Sequence, residues 1–161
     1  ASPSWRNSRG ARVGFLLPAL AVLILDQISK QILWQLGKNF DLIDGFVRIT
    51  LVQNSGAAFG MLQGGRIFLI ISSVIASLAI IFLAERLPKE ETTRRTLLGL
   101  ILGGALGNLV DRIYPGQVID FIDMGLGTAR WPVYNFADAA VTVGGILLIL
   151  SFSRTRGHQE E

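Results

Sequence analysis

The chain contains no cysteine and only one histidine, His158. The first absence excludes a disulfide framework, a thiol nucleophile and any cysteine-ligated metal. The second leaves imidazole chemistry to one residue in a polar tail, where an isolated histidine is solvated rather than liganding. Charge is also scarce: 17% of the 161 residues are Asp, Glu, Lys or Arg, against 50% hydrophobic. Mean hydropathy is +0.48. A soluble domain of this length has too little interior to bury so much apolar surface. The composition therefore predicts an integral membrane protein, with residues 1–161 forming a single domain. The net charge of +3 does not indicate nucleic acid, because the basic residues are scattered rather than gathered on one face.

What the chain does have is long apolar runs. A hydrocarbon core of about 30 Å needs roughly 20 apolar residues in a helix. Four segments meet that requirement, at about 13–34, 67–83, 96–113 and 135–152. Pro18 is tolerable in the first of them if neighbours cover the freed carbonyl. That segment is too long for a cleaved signal peptide, and it carries Asp26 and Lys30 where such a signal is purely apolar. Arg6, Arg9, Arg12, Arg86, Lys89, Arg94, Arg95, Arg154 and Arg156 fall in the two termini and the link between spans two and three. Those nine of the fifteen basic residues place both termini in the cytoplasm. The loops at about 35–66 and 114–134 then face outward.

In the first outer loop "GFVRITLVQN" alternates Val47, Ile49 and Leu51 with Arg48 and Thr50, a period of two that predicts a short strand. Gly56, Gly60, Gly64 and Gly65 follow and permit tight turns. Phe40, Phe46, Phe59, Trp131 and Tyr134 suit an aromatic belt at the headgroups, or a platform for something arriving from the lipid. The expected fold class is an α-helical membrane protein: four transmembrane helices with a small β-containing outer loop region.

Polar residues interrupt this apolar chain at one depth. Gly99, Gly103 and Gly107 recur every four residues, a strip that admits another helix, read here as packing within a monomer. Gly104, Asn108, Asp111 and Arg112 line a neighbouring face toward the outer end. Asp26 and Lys30 stand at i and i+4 in the outer half of the first span. Asn135, Asp138 and Thr142 share a face at the outer start of the fourth. Three polar faces at similar depth predict a shared cluster.

Structural roles account for several of these groups. Pairing Asp26 with Lys30 offsets part of an insertion cost of roughly 2.5–3.5 kcal/mol per charge at helix centre. Arg112 can pair with Asp111 or snorkel to headgroups. Asn135 and Asp138 have the spacing of a capping box, and Asp123 reads as a solvated loop acid. Asp120, between Ile119 and Phe121, has no such explanation. There is no thiol and no histidine in the cluster. A serine or lysine nucleophile is conceivable through Ser29, Ser55 or Lys30, but Lys30 already has Asp26 beside it, and carboxylates remain to carry chemistry. Two close aspartates do not ionise together easily, so one keeps a proton while the other acts as base. Such a pair activates water against an amide carbonyl. Asp111, Asp120, Asp123 and Asp138 are all candidates on these grounds. A proton-coupled transporter would also use membrane acids, but its site belongs near the midplane on broken helices. A scaffold that binds through the glycine strip would leave the outer carboxylates without a role.

Four segments in order, "DQISK" (26–30), "NSGAAFG" (54–60), "GGALGNLVDRIYPGQVIDFID" (103–123) and "YNFADAAVTVG" (134–144), together resemble the motif set of the bacterial lipoprotein signal peptidases, or signal peptidase II. The resemblance covers nearly the whole chain. It implies a membrane-embedded aspartic protease of the bacterial cytoplasmic (inner) membrane, with its active site toward the outer face. It assigns the catalytic dyad to Asp120 and Asp138. It gives substrate-binding or dyad-supporting roles to Asp26, Lys30, Asn54, Gly56, Asn108, Asp111, Arg112 and Asn135. The implied substrates are diacylglyceryl-modified prolipoproteins, cut just before the lipidated cysteine. Inhibition by globomycin is implied as well, and no metal or organic cofactor is expected.

Overall fold

A computed structural model describes residues 4–56 and 65–157. In chain order the elements are α1 (Ser4–Leu36), β1 (Phe40–Ile43), β2 (Val47–Asn54), α2 (Arg66–Arg86), α3 (Thr92–Ile113), β3 (Val118–Leu126), β4 (Ala129–Arg130) and α4 (Phe136–Gly157). All four helices are long and apolar enough to cross a bilayer; the first three contain the runs read from the sequence, and the fourth begins one residue into its run, at Phe136. This is a multi-pass membrane protein. Its helices expose large side chains such as Leu17, Ile67, Ile75 and Ile149, a surface suited to lipid and far too apolar for water. Phe59, Gly60, Gly64 and His158 lie outside the described residues.

Helix α3 is the hub. Half of its span is buried inside the protein, against 22% for α1, 17% for α2 and 11% for α4. Its glycines permit this. A Cβ at Gly99 or Gly103 would collide with the Phe15 or Ala19 carbonyl of α1, and one at Gly104 with the Ala137 carbonyl of α4. The predicted strip is thus spent on packing within the chain. Phe15, Ala19, Ala84, Leu98 and Leu102 form the core between α1, α2 and α3. Arg94 and Arg95, read from the sequence as orienting charges, are buried. Arg95 donates to the Leu87 and Pro88 carbonyls at the end of α2, while Arg94 reaches Glu91 and the Ser151 carbonyl. Arg95 thereby satisfies the Leu87 carbonyl at the α2 C-cap, and Arg94 ties α3 to α4.

The loops between α1 and α2 and between α3 and α4 pair as one antiparallel sheet in the order β1-β2-β3-β4. The strand expected at 45–54 is β2, and β3 is its unanticipated partner, with Val52 opposite Asp120 and Asn54 opposite Val118. Acids three apart in "VIDFID" break the alternation that reveals a strand. This pairing also changes the status of Asp123. It is not a solvated loop acid: it is buried, accepting from Arg130 Nε at 2.7 Å and from Thr50 Oγ1 at 3.2 Å.

Candidate active site

Asn135 stands just before the fourth helix, and its Oδ1 accepts the Asp138 backbone N–H at 2.9 Å. Asp138 Oδ2 in turn accepts the Asn135 N–H at 3.3 Å. These reciprocal bonds are the capping box expected from the spacing, and they hold Asp138 at the positive end of the helix. Its other oxygen, Oδ1, accepts Asn108 Nδ2 of α3 at 2.7 Å.

Asp120 reaches the same place from the middle of β3. Its Oδ1 accepts Asn135 Nδ2 at 2.7 Å and its Oδ2 accepts Asn54 Nδ2 of β2 at 3.0 Å. Asn54 is itself oriented, its Oδ1 taking the Gly56 N–H at 2.9 Å. Asn135 therefore touches both aspartates. Asp120 is 3% exposed. Burial pushes its pKa from the usual carboxylate range up to about 6, with the nearby Asp138 charge adding to the rise and the Asn54 hydrogen bond opposing it.

Beneath this pair lies an ionic cluster that ties α1, α3 and α4 together. Lys30 Nζ is 2.6 Å from Asp26 Oδ2 and 2.6 Å from Asp111 Oδ2, with all three residues buried. It also donates to Asn108 Oδ1 at 3.3 Å, which turns the amide so that its NH₂ faces Asp138. Asp26 Oδ1 accepts the Ala137 N–H at 3.0 Å, a second carboxylate capping α4. The expected Asp26–Lys30 pair is thus part of a triad, and Asp111 pairs with Lys30 rather than with Arg112. Arg112 donates to the Asn108 carbonyl at 3.3 Å, and its buried Nε has no hydrogen-bond partner among the described residues.

Gln27, between Asp26 and Lys30, joins the ionic cluster without any spacing signal of its own. Its Nε2 donates to Asp111 Oδ1 at 3.0 Å, the Gly107 carbonyl at 3.1 Å and Asp26 Oδ2 at 3.3 Å. Its place in "DQISK" is the one signal the sequence carries. Thr142, expected on the same face as Asp138, is exposed and stands outside the network. Among the described residues no group of three His, Cys, Asp or Glu side chains is placed to hold a metal ion.

Residues 18–154 match the family described as Signal peptidase (SPase) II. The chain belongs to the signal peptidase II family. It is 43% identical over 139 residues to the lipoprotein signal peptidase of Geobacillus thermodenitrificans, covering 84% of this chain and 87% of that one. It is 34% identical over 149 residues to the Staphylococcus aureus lipoprotein signal peptidase, covering 91% of each. Its fold is similar to a bacterial membrane enzyme solved by the in meso method at 2.3 Å, with a TM-score of 0.84 and 34% identity over 90% of both chains. A second such structure, at 1.9 Å, gives a TM-score of 0.76 at 35% identity, covering 84% of this chain and 90% of the other. Membership of the signal peptidase II family makes this a membrane-spanning protease. The residues that carry the family resemblance, from Asp26 and Lys30 through Asn54, Asn108 and Asp111 to Asp120, Asn135 and Asp138, form one connected polar network. Arg112 stands at its edge.

Proposed function

We propose that this protease is an aspartic endopeptidase that removes the signal peptide from diacylglyceryl-modified prolipoproteins, cutting just before the lipidated cysteine. Asp120 and Asp138 are its dyad, and a water between them is the nucleophile. One observation carries the reading. Two carboxylates, one from a strand and one from a helix start, are both gripped by Asn135, and one of them has a pKa raised to about 6.

In the catalytic cycle Asp120, whose raised pKa favours the protonated form, is the acid, and Asp138 is the base. Asp138 takes a proton from the water as its oxygen bonds to the scissile carbonyl carbon, and Asp120 gives its proton to the carbonyl oxygen. The resulting diol collapses when Asp138 passes its proton to the leaving nitrogen and a diol hydroxyl returns one to Asp120. The C–N bond breaks, and the dyad regains its starting state. Asn54 and Asn135 hold the Asp120 carboxyl, and Asn108 holds that of Asp138. The Asp26–Lys30–Asp111 triad fixes Asn108 and the start of α4. Gly56 secures Asn54, and the Arg112 guanidinium supplies positive charge toward the reacting carbonyl.

The signal helix of the substrate lies in the bilayer beside α3 and α4, with its lipid chains in the outer leaflet of the bacterial cytoplasmic membrane. Both termini are cytoplasmic, and the dyad sits at the outer face. Globomycin-type peptides compete for the dyad, and the monomer is the working unit. Each buried methylene contributes about 0.8 kcal/mol of membrane affinity, so the anchor brings the scissile bond to the dyad with little further binding energy. The test is cleavage in detergent micelles, followed by gel shift and mass spectrometry. The expected product begins at the lipidated cysteine, and the unlipidated precursor at equal concentration is cut on the order of 100-fold more slowly. Equal rates for the two precursors would contradict this account of recognition.

A further inference from the structure

A crevice of about 440 Å³ opens between the outer ends of α1 and α3, roofed by the paired ends of β2 and β3. It is separate from the dyad. Ile119 lines the crevice, and Asp120, the next residue along β3, points to the opposite face of the strand. Four of the chain's seven glutamines, Gln27, Gln31, Gln53 and Gln117, line it. Gln27 is committed to the ionic triad. Gln31 and Gln53 are exposed and Gln117 is half-buried, and their amides make no hydrogen bond among the described residues. The only cation among the described residues of the wall, Lys30, is neutralised by Asp26 and Asp111 at 2.6 Å each. The crevice therefore offers amide donors and acceptors and no free positive charge, so an anionic phosphate finds no counterion in it.

The surface below matches the tail of an amphiphile. Gln27, Gln31 and Trp34 lie on one strip of α1, and the same i, i+3/i+4 strip continues inward as Ile24 and Leu20, both exposed. Polar gives way to apolar within one turn. Trp34 and Tyr114, both exposed, stand at the mouth, where aromatic side chains mark the membrane interface. From Gln27 to Trp34 the strip rises roughly 10 Å at 1.5 Å per residue, the scale of a glycerol backbone with its ester groups.

The geometry points to a standing lipid site in this crevice, taking a bilayer lipid whose head presents hydroxyls and ester carbonyls without net charge, of the diacylglycerol or glycosyl-diacylglycerol class. The occupant is a free lipid of the membrane and not the lipid of the substrate, because β3 stands between the crevice and the dyad. The site does not depend on the proposed catalytic mechanism.

The test uses the full chain, delipidated in dodecyl maltoside, with dioleoylglycerol and dioleoyl-phosphatidylglycerol as probes. Thermal unfolding and native mass spectrometry are the readouts. Dioleoylglycerol is expected to raise the unfolding midpoint by about 5–10 °C at a hundredfold excess over its Kd, with one lipid retained per chain. The paired substitution Gln31→Leu with Gln117→Leu is expected to abolish that increment, while precursor cleavage keeps its kcat and KM within twofold. A single Gln53→Leu is expected to reduce it. The proposal is overturned if dioleoylglycerol gives no shift, or if phosphatidylglycerol or the paired variant gives the same shift. A rise in KM for the lipidated precursor in the paired variant would overturn it too, by assigning the crevice to the substrate's own lipid.

Discussion

Asp120→Asn abolishes precursor cleavage, lowering the rate by at least about 10⁴-fold, and at the same time relieves the folded protein of a pH-dependent burden. The loss of activity follows from the dyad: asparagine keeps the shape but has no acidic proton to give the scissile carbonyl. The stability effect follows from linkage. Asp120 is buried, and its pKa in the folded protein is about 6 against an ordinary value of 3.8. Between those two values the folded state holds a proton that the unfolded state has released. Stability therefore falls as pH rises through that window, by about 3 kcal/mol in total at about 1.36 kcal/mol per unit. It is fully present below pH 3.8 and gone above about pH 6. The asparagine variant has no such group. Its melting temperature relative to wild type should climb by roughly 6–12 °C between pH 4 and pH 7. Its absolute value at one pH is less informative, since the new amide meets the NH₂ groups of Asn54 and Asn135. Parallel melting scans at several pH values check this. A flat difference would mean that the Asp120 pKa is not raised.

The second large effect is on the fold. Lys30→Met is expected to destabilise the protein by about 3–5 kcal/mol, because it leaves Asp26 and Asp111 facing each other, buried and without a counterion. Combining it with Asp26→Asn and Asp111→Asn should recover most of that loss, since a neutral cluster avoids the uncompensated charge. The combination should not recover cleavage. Lys30 and Asn135 together orient Asn108, and without Lys30 the amide that holds Asp138 is fixed by one bond instead of two. Melting temperature and cleavage rate measured on both variants separate the two roles. If Lys30→Met melts within about 2 °C of wild type, the triad contributes little to stability.

Parts of this arrangement were legible in the sequence because they rest on local spacing. Twenty apolar residues announce a span, Asp26 and Lys30 one turn apart announce a pair, and Asn135 three residues before Asp138 announces a capping box. What was not legible depends on contacts between distant segments. Lys30 pairs with Asp111 because α1 and α3 meet at Gly103 and Gly107, and nothing in "NLVDRI" favours Lys30 over Arg112. Asp123 is buried because β3 pairs with β2 and β4, which no alternation in "VIDFID" reveals. The residues alone left four aspartates open, and the choice of Asp120 and Asp138 came from the family resemblance. In the fold these two share Asn135, while Asp111 is tied to Lys30 and Asp123 to Arg130.

Asp138 carries the sharpest ambiguity, since its place in the capping box would by itself justify an acid there. The decisive measurement is the single-turnover cleavage rate of Asp138→Asn on a lipidated precursor, with its melting curve recorded alongside. Asparagine keeps an oxygen to accept the Asn135 N–H, so the cap survives; its NH₂ then faces that of Asn108, a loss that should leave the melting temperature within about 5 °C of wild type. The account predicts that this folded variant loses at least about 10⁴-fold in rate. Cleavage within tenfold of wild type would make Asp138 a helix cap only, and the dyad assignment would fail.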